Sequence, residues 1–232
     1  MRIDDCVVRI AGEGGEGVIS CGEILTHAIA RAGYHVQSWK TFPSEIRGGL
    51  ARYQFRLKTS PVHTIGASVD VLICFNQEAM DDSVKDPACQ ARLTVYDPEK
   101  TPAADLPGLP GPRYAIALNN ICKEATGALR AKNVVAMGVI ARVLGLDMDL
   151  LRRMIAEMWQ RKGAEVVNMN VKALEVGAAA AEAVIPAEGR LQIAPPVHVG
   201  PRLLTLSGND AVALGVVSAG CRIVSGYPIT PA

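Results

Sequence analysis

The chain has 232 residues, 49% of them apolar, with 24 Lys and Arg against 23 Asp and Glu and a formal net charge of +1. That near balance excludes a global field that would gather nucleic acid or an anionic membrane surface, so any anion must be held by a local arrangement. Few aromatics and abundant Gly, Ala and Val suit helices packed closely on a parallel sheet, which points to an α/β class, and the length serves one well-buried domain plus a fragment.

In chain order, Cys6 to Ala11 predicts a short strand, and the turn Gly12-Glu13-Gly14-Gly15-Glu16-Gly17 leads into Ile19, Ile24, Leu25, Ala28 and Ile29 at helical spacing. After Gly33 stops that helix, Tyr34 to Trp39 reads as a second strand and Arg52 to Leu57 as a half-exposed, alternating one. Val69 to Phe75 and Arg92 to Tyr96 are further strands; the first is almost uniformly apolar, as a strand covered on both faces would be. Pro98 to Pro112, rich in Pro and Gly, predicts an exposed connection before a short strand from Tyr114 to Leu118. Helical spacing then predicts a buried helix over Val134 to Leu144, an amphipathic one over Leu150 to Met158 and an alanine-rich one over Met169 to Val184. Pro186, Pro195, Pro196 and Pro201 mark residues 186–202 as an interdomain linker, so the expected domains are 1–185 and 203–232. The second of these predicts a helix near Asp210 to Ala219 and a strand near Arg222 to Ser225. It is too short to enclose a core, and the expectation is that the natural polypeptide continues.

Cys6, Cys21, Cys74, Cys89, Cys122 and Cys221 are scattered, with no C-x-x-C pair to start a zinc or iron–sulfur site, so no metal site is expected. Most lie in apolar stretches such as Val71-Leu72-Ile73-Cys74-Phe75, as reduced core thiols of a cytoplasmic protein would. The start of the sequence lacks a signal-peptide apolar region, and no run approaches the roughly 20 apolar residues that span a bilayer.

Gly12, Gly14 and Gly17 satisfy G-x-G-x-x-G between a strand and a helix, where backbone N–H groups and the helix dipole can receive a phosphate. The rival reading is a tight structural turn. A dinucleotide site would place an acid at the end of the second strand to bind ribose, but Ser38-Trp39-Lys40 stands there, which disfavours an NAD-dependent dehydrogenase. Glu13 and Glu16 put negative charge into the loop, so a bound phosphate needs either a pose that avoids them or compensating cations. Arg47, followed by Gly48 and Gly49, could supply one through its fork of donors, or could be a solvated surface arginine.

The run Arg9-Ile10-Ala11-Gly12-Glu13-Gly14-Gly15-Glu16-Gly17, then Phe42-Pro43-Ser44-Glu45-Ile46-Arg47-Gly48-Gly49, then Lys132-Asn133-Val134-Val135-Ala136-Met137-Gly138, resembles the gamma domain of 2-oxoacid:ferredoxin oxidoreductases over about Val7 to Ala183. After the prolines, Gly208-Asn209-Asp210-Ala211-Val212-Ala213-Leu214-Gly215, Gly220-Cys221-Arg222 and Gly226-Tyr227-Pro228-Ile229-Thr230-Pro231 resemble the opening of the family's alpha subunit. Gamma followed by alpha is similar to the fused large subunit of two-subunit 2-oxoglutarate:ferredoxin oxidoreductases.

The resemblance implies a three-layer gamma domain on a central, mostly parallel sheet, a proline-rich linker and the incomplete start of a second α/β domain, the thiamine-pyrimidine domain. It implies oxidative decarboxylation of a 2-oxoacid, 2-oxoglutarate by subunit organisation, to its acyl-CoA with electrons passed to ferredoxin. Gly12, Gly14, Gly15 and Gly17 would face coenzyme A phosphates, with Arg47, Gly48 and Gly49 lining the same cleft. Tyr227, Pro228, Ile229 and Thr230 would approach thiamine and substrate, the Thr230 hydroxyl binding the 2-oxoacid carboxylate. On local sequence alone Thr230 reads as a turn threonine bonding its own backbone. Thiamine diphosphate, Mg²⁺ and a [4Fe-4S] cluster would be held largely by a beta subunit, leaving this chain alone colourless and inactive. The competing function is a non-catalytic nucleotide-binding or assembly module, which leaves the Gly-Tyr-Pro-Ile-Thr-Pro segment unexplained.

Overall fold

A computed structural model describes residues 1–41, 43, 48–102, 108–197 and 205–226. The chain divides into two units, Met1–His198 and Val199–Ala232. The first contains β1 (Arg2–Ile3), β2 (Asp5–Glu13), α1 (Val18–Arg31), β3 (His35–Thr41), β4 (Leu50–Lys58), β5 (Val71–Cys74), α2 (Gln77–Lys85) and β6 (Leu93–Tyr96). It continues with β7 (Arg113–Ala115), α3 (Leu118–Thr126), α4 (Lys132–Leu144), α5 (Met148–Trp159), α6 (Ala164–Val184) and β8 (Gln192–Ile193).

Six strands form one sheet in the order β3-β4-β2-β5-β6-β7. Strands β2, β5, β6 and β7 run parallel, and β4 lies antiparallel to both β2 and β3, so the α/β architecture is mixed but mostly parallel. Ile10 sits opposite Tyr53 on one side and Ile73 on the other, and Ile73 opposite Val95. These residues share the larger core with α1 and α4, whereas Val7, Ala11, Leu72 and Cys74 alternate into a smaller core with Ala79 and Met80 of α2. Burial on both faces is why the sequences of β2 and β5 read as nearly continuous apolar runs. Arg9, within such a run, is buried; its Nε donates to Gln54 Oε1 (3.0 Å) and its Nη1 pairs with Asp86 (2.6 Å), which compensates the buried charge.

Helix α4 is apolar almost all round and almost wholly buried, the behaviour of a helix enclosed by others. It crosses α6 at two glycines. A Cβ on Gly138 would fall inside the van der Waals shell of Leu174 O, and one on Gly177 inside that of Val135 O. The two backbones touch because neither position carries a side chain.

The segment expected as a strand over Tyr114 to Leu118 is divided, with β7 ending at Ala115 and α3 starting at Leu118. Helix α2 is an addition to the sequence reading: Asn76 caps it by accepting from the Ala79 amide (2.9 Å), but only Ala79, Met80 and Ser83 are buried, too few to impose a period. In the proline-rich connection, Thr101 and Leu109 are buried rather than exposed. Within 186–197, Leu191 and Ile193 are buried and β8 pairs in parallel with β1, Arg2 opposite Gln192. These residues therefore pack within the first unit.

In the second unit, α7 (Gly208–Ser218) starts at a capping box: Ser207 Oγ accepts from the Asp210 amide (3.1 Å) and Asp210 accepts from the Ser207 amide (3.2 Å). The strand expected over Arg222 to Ser225 is not formed among the described residues. Ile223 and Val224 are 86% and 78% exposed, and no strand among the described residues pairs with them. No helix among the described residues is long and apolar enough to cross a membrane.

The α4–α6 crossing makes one stability prediction. Gly138→Ala forces a methyl group into the Leu174 carbonyl and is expected to cost about 1–3 kcal/mol. Thermal unfolding should show the melting temperature falling by roughly 2–4 °C per kcal/mol. An unchanged melting temperature would mean that the two helices do not approach this closely.

Candidate functional site

The parallel strands β2, β5 and β6 end on the same edge of the sheet, and the loop from Gly14 to Gly17 leaves β2 there to enter α1. Ligands of open α/β sheets bind at this edge, where strand order switches direction around the first strand. Gly17 is the N-cap of α1 in the left-handed region (φ 84°), and Gly15 is also left-handed (φ 97°). The first helical bond runs from the Cys21 amide to Gly17 O (2.9 Å), so the amides of Gly17, Val18, Ile19 and Ser20 precede any intrahelical acceptor. They present the positive end of the helix dipole.

A cleft of about 440 Å³ opens at this point. Gly15, Glu16, Gly17 and Ser20 form one wall, Leu129, Arg130, Lys132 and Asn133 of the α3–α4 turn and α4 another, and Lys100 and Asn119 a third. The third wall is fixed from behind by Asp97, a fully buried carboxylate that accepts the amides of Glu99 and Asn119, each at 3.1 Å. Burial pushes the Asp97 carboxyl above its ordinary range, and those two hydrogen bonds pull the other way. Asp97 O also accepts the Lys100 amide (3.1 Å), so one residue anchors the backbone of both Lys100 and Asn119.

The glycines of the loop serve distinct ends. A Cβ on Gly12 would lie 2.8 Å from Phe75 Cβ and 2.9 Å from Glu16 Oε2, and one on Gly14 would lie 2.9 Å from Gly48 O. One on Gly17 would lie 2.8 Å from Asn133 Cβ, whose amide donates to Ser20 Oγ (3.0 Å). Gly12, Gly14 and Gly17, the fingerprint positions, are therefore required by packing. Gly15, with nothing within 4 Å of a built Cβ, faces open space and lines the cleft. The Gly14 amide is already bonded to Gly49 O (2.9 Å), so Gly48 and Gly49, both at positive φ, brace the loop.

The acid in the loop is also accounted for. Glu16 Oε1 pairs with Lys132 Nζ (2.5 Å), while Oε2 accepts from the Glu13 amide (2.9 Å) and from Asn76 Nδ2 (3.3 Å). Lys132 is buried, with its ammonium 4.7 Å from the centre of the Phe75 ring. Lys100 and Arg130 line the cleft exposed. Amides, a helix start and cations suit a phosphate-bearing anion. The one carboxylate among the described lining residues, Glu16, is engaged by Lys132.

Of the residues singled out in the sequence, Gly12, Gly14, Gly15, Gly17, Gly48 and Gly49 come together around this loop. Arg47, Tyr227, Pro228, Ile229 and Thr230 lie outside the described residues. Lys100, Asn119, Arg130 and the site roles of Lys132 and Asn133 are supplied by the fold; a lysine opening an otherwise apolar helix was the available signal for Lys132. Among the described residues no group of three or more His, Cys, Asp or Glu could hold a metal ion. Cys6, Cys21, Cys74 and Cys89 are buried, which pushes their thiols up and away from the thiolate form that ligates metals.

The chain is 27% identical, over its whole length and 40% of the relative's, to the 2-oxoglutarate oxidoreductase subunit KorA of Mycobacterium tuberculosis. It is 28% identical, over 73% of its length and 84% of the relative's, to the 2-oxoglutarate synthase subunit KorC of Archaeoglobus fulgidus. Among solved structures, it matches the 2-oxoglutarate:ferredoxin oxidoreductase of Magnetococcus marinus, solved with 2-oxoglutarate, coenzyme A and succinyl-CoA bound. That match has a TM-score of 0.82 and 35% identity over 99% of this chain and 40% of that one. The chain thus spans 40% of the length of KorA and of that enzyme's chain. Residues 7–180, which carry the glycine loop and every wall of the cleft, match the family model described as pyruvate ferredoxin/flavodoxin oxidoreductase, and the chain belongs to that family.

Proposed function

We propose that residues 1–185 are the coenzyme A-handling gamma domain, and residues 203–232 the start of the thiamine-pyrimidine domain, of a cytoplasmic 2-oxoacid:ferredoxin oxidoreductase acting on 2-oxoglutarate. The observation that carries this reading is the 35% identity, at a TM-score of 0.82, to an enzyme holding 2-oxoglutarate, coenzyme A and succinyl-CoA. The local geometry supports it, because a phosphate-bearing thiol ester carrier needs the kind of cleft that Gly15, the start of α1, Lys100 and Arg130 form.

In this reading the substrate loses its carboxylate as CO₂, the electron pair left behind passes to ferredoxin, and the acyl group is released to the coenzyme A thiol. Thiamine diphosphate with Mg²⁺ supplies the carbanion stabilisation, and a [4Fe-4S] cluster on a beta subunit the electron path. The work of this chain's own residues is positional. The α1 amides, Lys100 and Arg130 hold coenzyme A phosphates, and Asn133, whose Nδ2 keeps one hydrogen beyond the one given to Ser20 Oγ, offers a hydrogen bond. Arg47 adds a cation beside Gly48 and Gly49, and Leu129 gives apolar contact. Tyr227, Pro228 and Ile229 shape the approach to thiamine, and Thr230 holds the 2-oxoacid carboxylate.

In the complete enzyme, Arg130→Ala and Arg47→Ala should each raise the KM for coenzyme A, the loss of one phosphate contact being worth roughly 1–3 kcal/mol, with the KM for the 2-oxoacid largely unchanged. Steady-state kinetics with each substrate varied separately decides it. Equal effects on both substrates, or none, would return these arginines to structural or solvated roles.

Thr230→Val keeps the shape of the side chain and removes its hydroxyl, so the substrate carboxylate should lose one charge-assisted hydrogen bond of about 1.5–3 kcal/mol. Catalytic efficiency for the 2-oxoacid should then fall by roughly ten- to a hundredfold, with coenzyme A binding retained. Wild-type efficiency in the folded variant removes Thr230 from the site.

A further inference from the structure

We propose that Lys132 acts as the electrostatic silencer of Glu16: it cancels a carboxylate built into the anion-binding loop and is not itself a phosphate ligand. The proposal rests on the coenzyme A reading of the cleft.

Glu16 is a costly residue at this position. It stands one residue before the N-cap of α1, on the wall that must receive negative charge, and an uncompensated carboxylate there would repel a phosphate. Its geometry shows why it is tolerated. Oε2 closes the loop by accepting the Glu13 amide (2.9 Å) and binds Asn76 (3.3 Å), the residue that caps α2. The carboxylate thus ties the glycine loop to the end of β5 and to α2. Gly12 is bare partly because a Cβ there would lie 2.9 Å from that same oxygen.

The remaining oxygen is met by Lys132 at 2.5 Å. Lys132 is only 6% exposed, its ammonium lies 4.7 Å from the Phe75 ring centre, and it comes from a helix 116 residues further along the chain. An ammonium held between a carboxylate and an aromatic face already has its charge compensated, whereas Lys100 and Arg130 on the same cleft are exposed. The pair therefore adds no net charge to the wall. The attraction comes from the α1 amides and the exposed cations, while Glu16 keeps the loop in shape.

This division makes a prediction that a simple phosphate-binding lysine does not. In the complete enzyme, Lys132→Met keeps the apolar contact with Phe75 but leaves Glu16 uncompensated. The KM for coenzyme A should rise roughly tenfold or more, the order expected of one unpaired charge in a half-buried cleft, with the KM for the 2-oxoacid little changed. Glu16→Gln added to Lys132→Met removes the uncompensated carboxylate while keeping an acceptor for the Glu13 amide. It should bring the KM for coenzyme A back to within about threefold of wild type.

Equilibrium binding of coenzyme A to the same complexes gives a readout independent of turnover, and circular dichroism checks that each is folded. If the double variant is as impaired as Lys132→Met alone, Lys132 contacts the phosphate directly and the proposal is overturned. If Lys132→Met binds coenzyme A as well as wild type does, the pair is structural only and the proposal again fails. Absence of coenzyme A binding by the wild-type complex would instead sink the coenzyme A reading of the cleft.

Discussion

The candidate site depends on a crowded strand-to-helix passage. Between the end of β2 and the start of α1 the chain must slip past Phe75, Gly48 and Asn133, and at three successive points there is no room for a Cβ. Crowding of this kind fixes the loop more firmly than its own few hydrogen bonds could, because each neighbour belongs to a different element: the end of β5, the entry to β4 and the first turn of α4. The loop can then present its remaining amides in a set direction at no further ordering cost on binding, which is the energetic benefit of a preorganised anion site. The same economy of side chains recurs where Gly138 and Gly177 let α4 and α6 touch, and that contact holds α4 where Lys132 and Asn133 reach the loop.

Much of the fold is legible in the sequence because burial leaves a pattern, a continuous apolar run where an element is covered all round and a period where one face is. Strands β2 and β5, apolar on both faces, and helices α1, α4 and α5 all carry their pattern openly. Helices α2 and α3 do not. Only Leu118 and Cys122 of α3 are buried, and only three residues of α2, so a short helix lying on the surface leaves little trace beyond its cap. Residues 186–197 mislead for a related reason. Prolines and missing periodicity suggest a tether, yet a two-residue strand and two buried apolar side chains suffice to fasten the segment beside β1.

The site is legible by half. Its glycines stand together in the sequence, and the strand–loop–helix context gives them meaning. Their individual purposes do not follow from the pattern: Gly12, Gly14 and Gly17 answer to packing, while Gly15, which the fingerprint leaves unspecified, opens on the cleft. The polar groups around them, Lys100, Asn119, Arg130 and Asn133, come from distant parts of the chain, and no local pattern marks which surface lysine or asparagine will arrive there. The near-neutral composition is likewise informative only about what is absent at long range. Within the cleft, a handful of charges at short distance decides the field.

Nothing among the described lining residues is poised for proton transfer or nucleophilic attack, and the one carboxylate is tied into the loop. Under the proposed function this is the expected division of labour. Coenzyme A reacts at its thiol, far from its phosphates, so the phosphate end can be gripped by groups that take no part in the chemistry. Binding energy gathered there can be used to hold the thiol in place as the acyl group is released, turning a collision into an oriented encounter. A wall made neutral by a paired acid and base, with exposed cations set beside it, serves that purpose well. It attracts the phosphates without an excess of buried positive charge, and through Glu16 it braces the loop against α2 and α4.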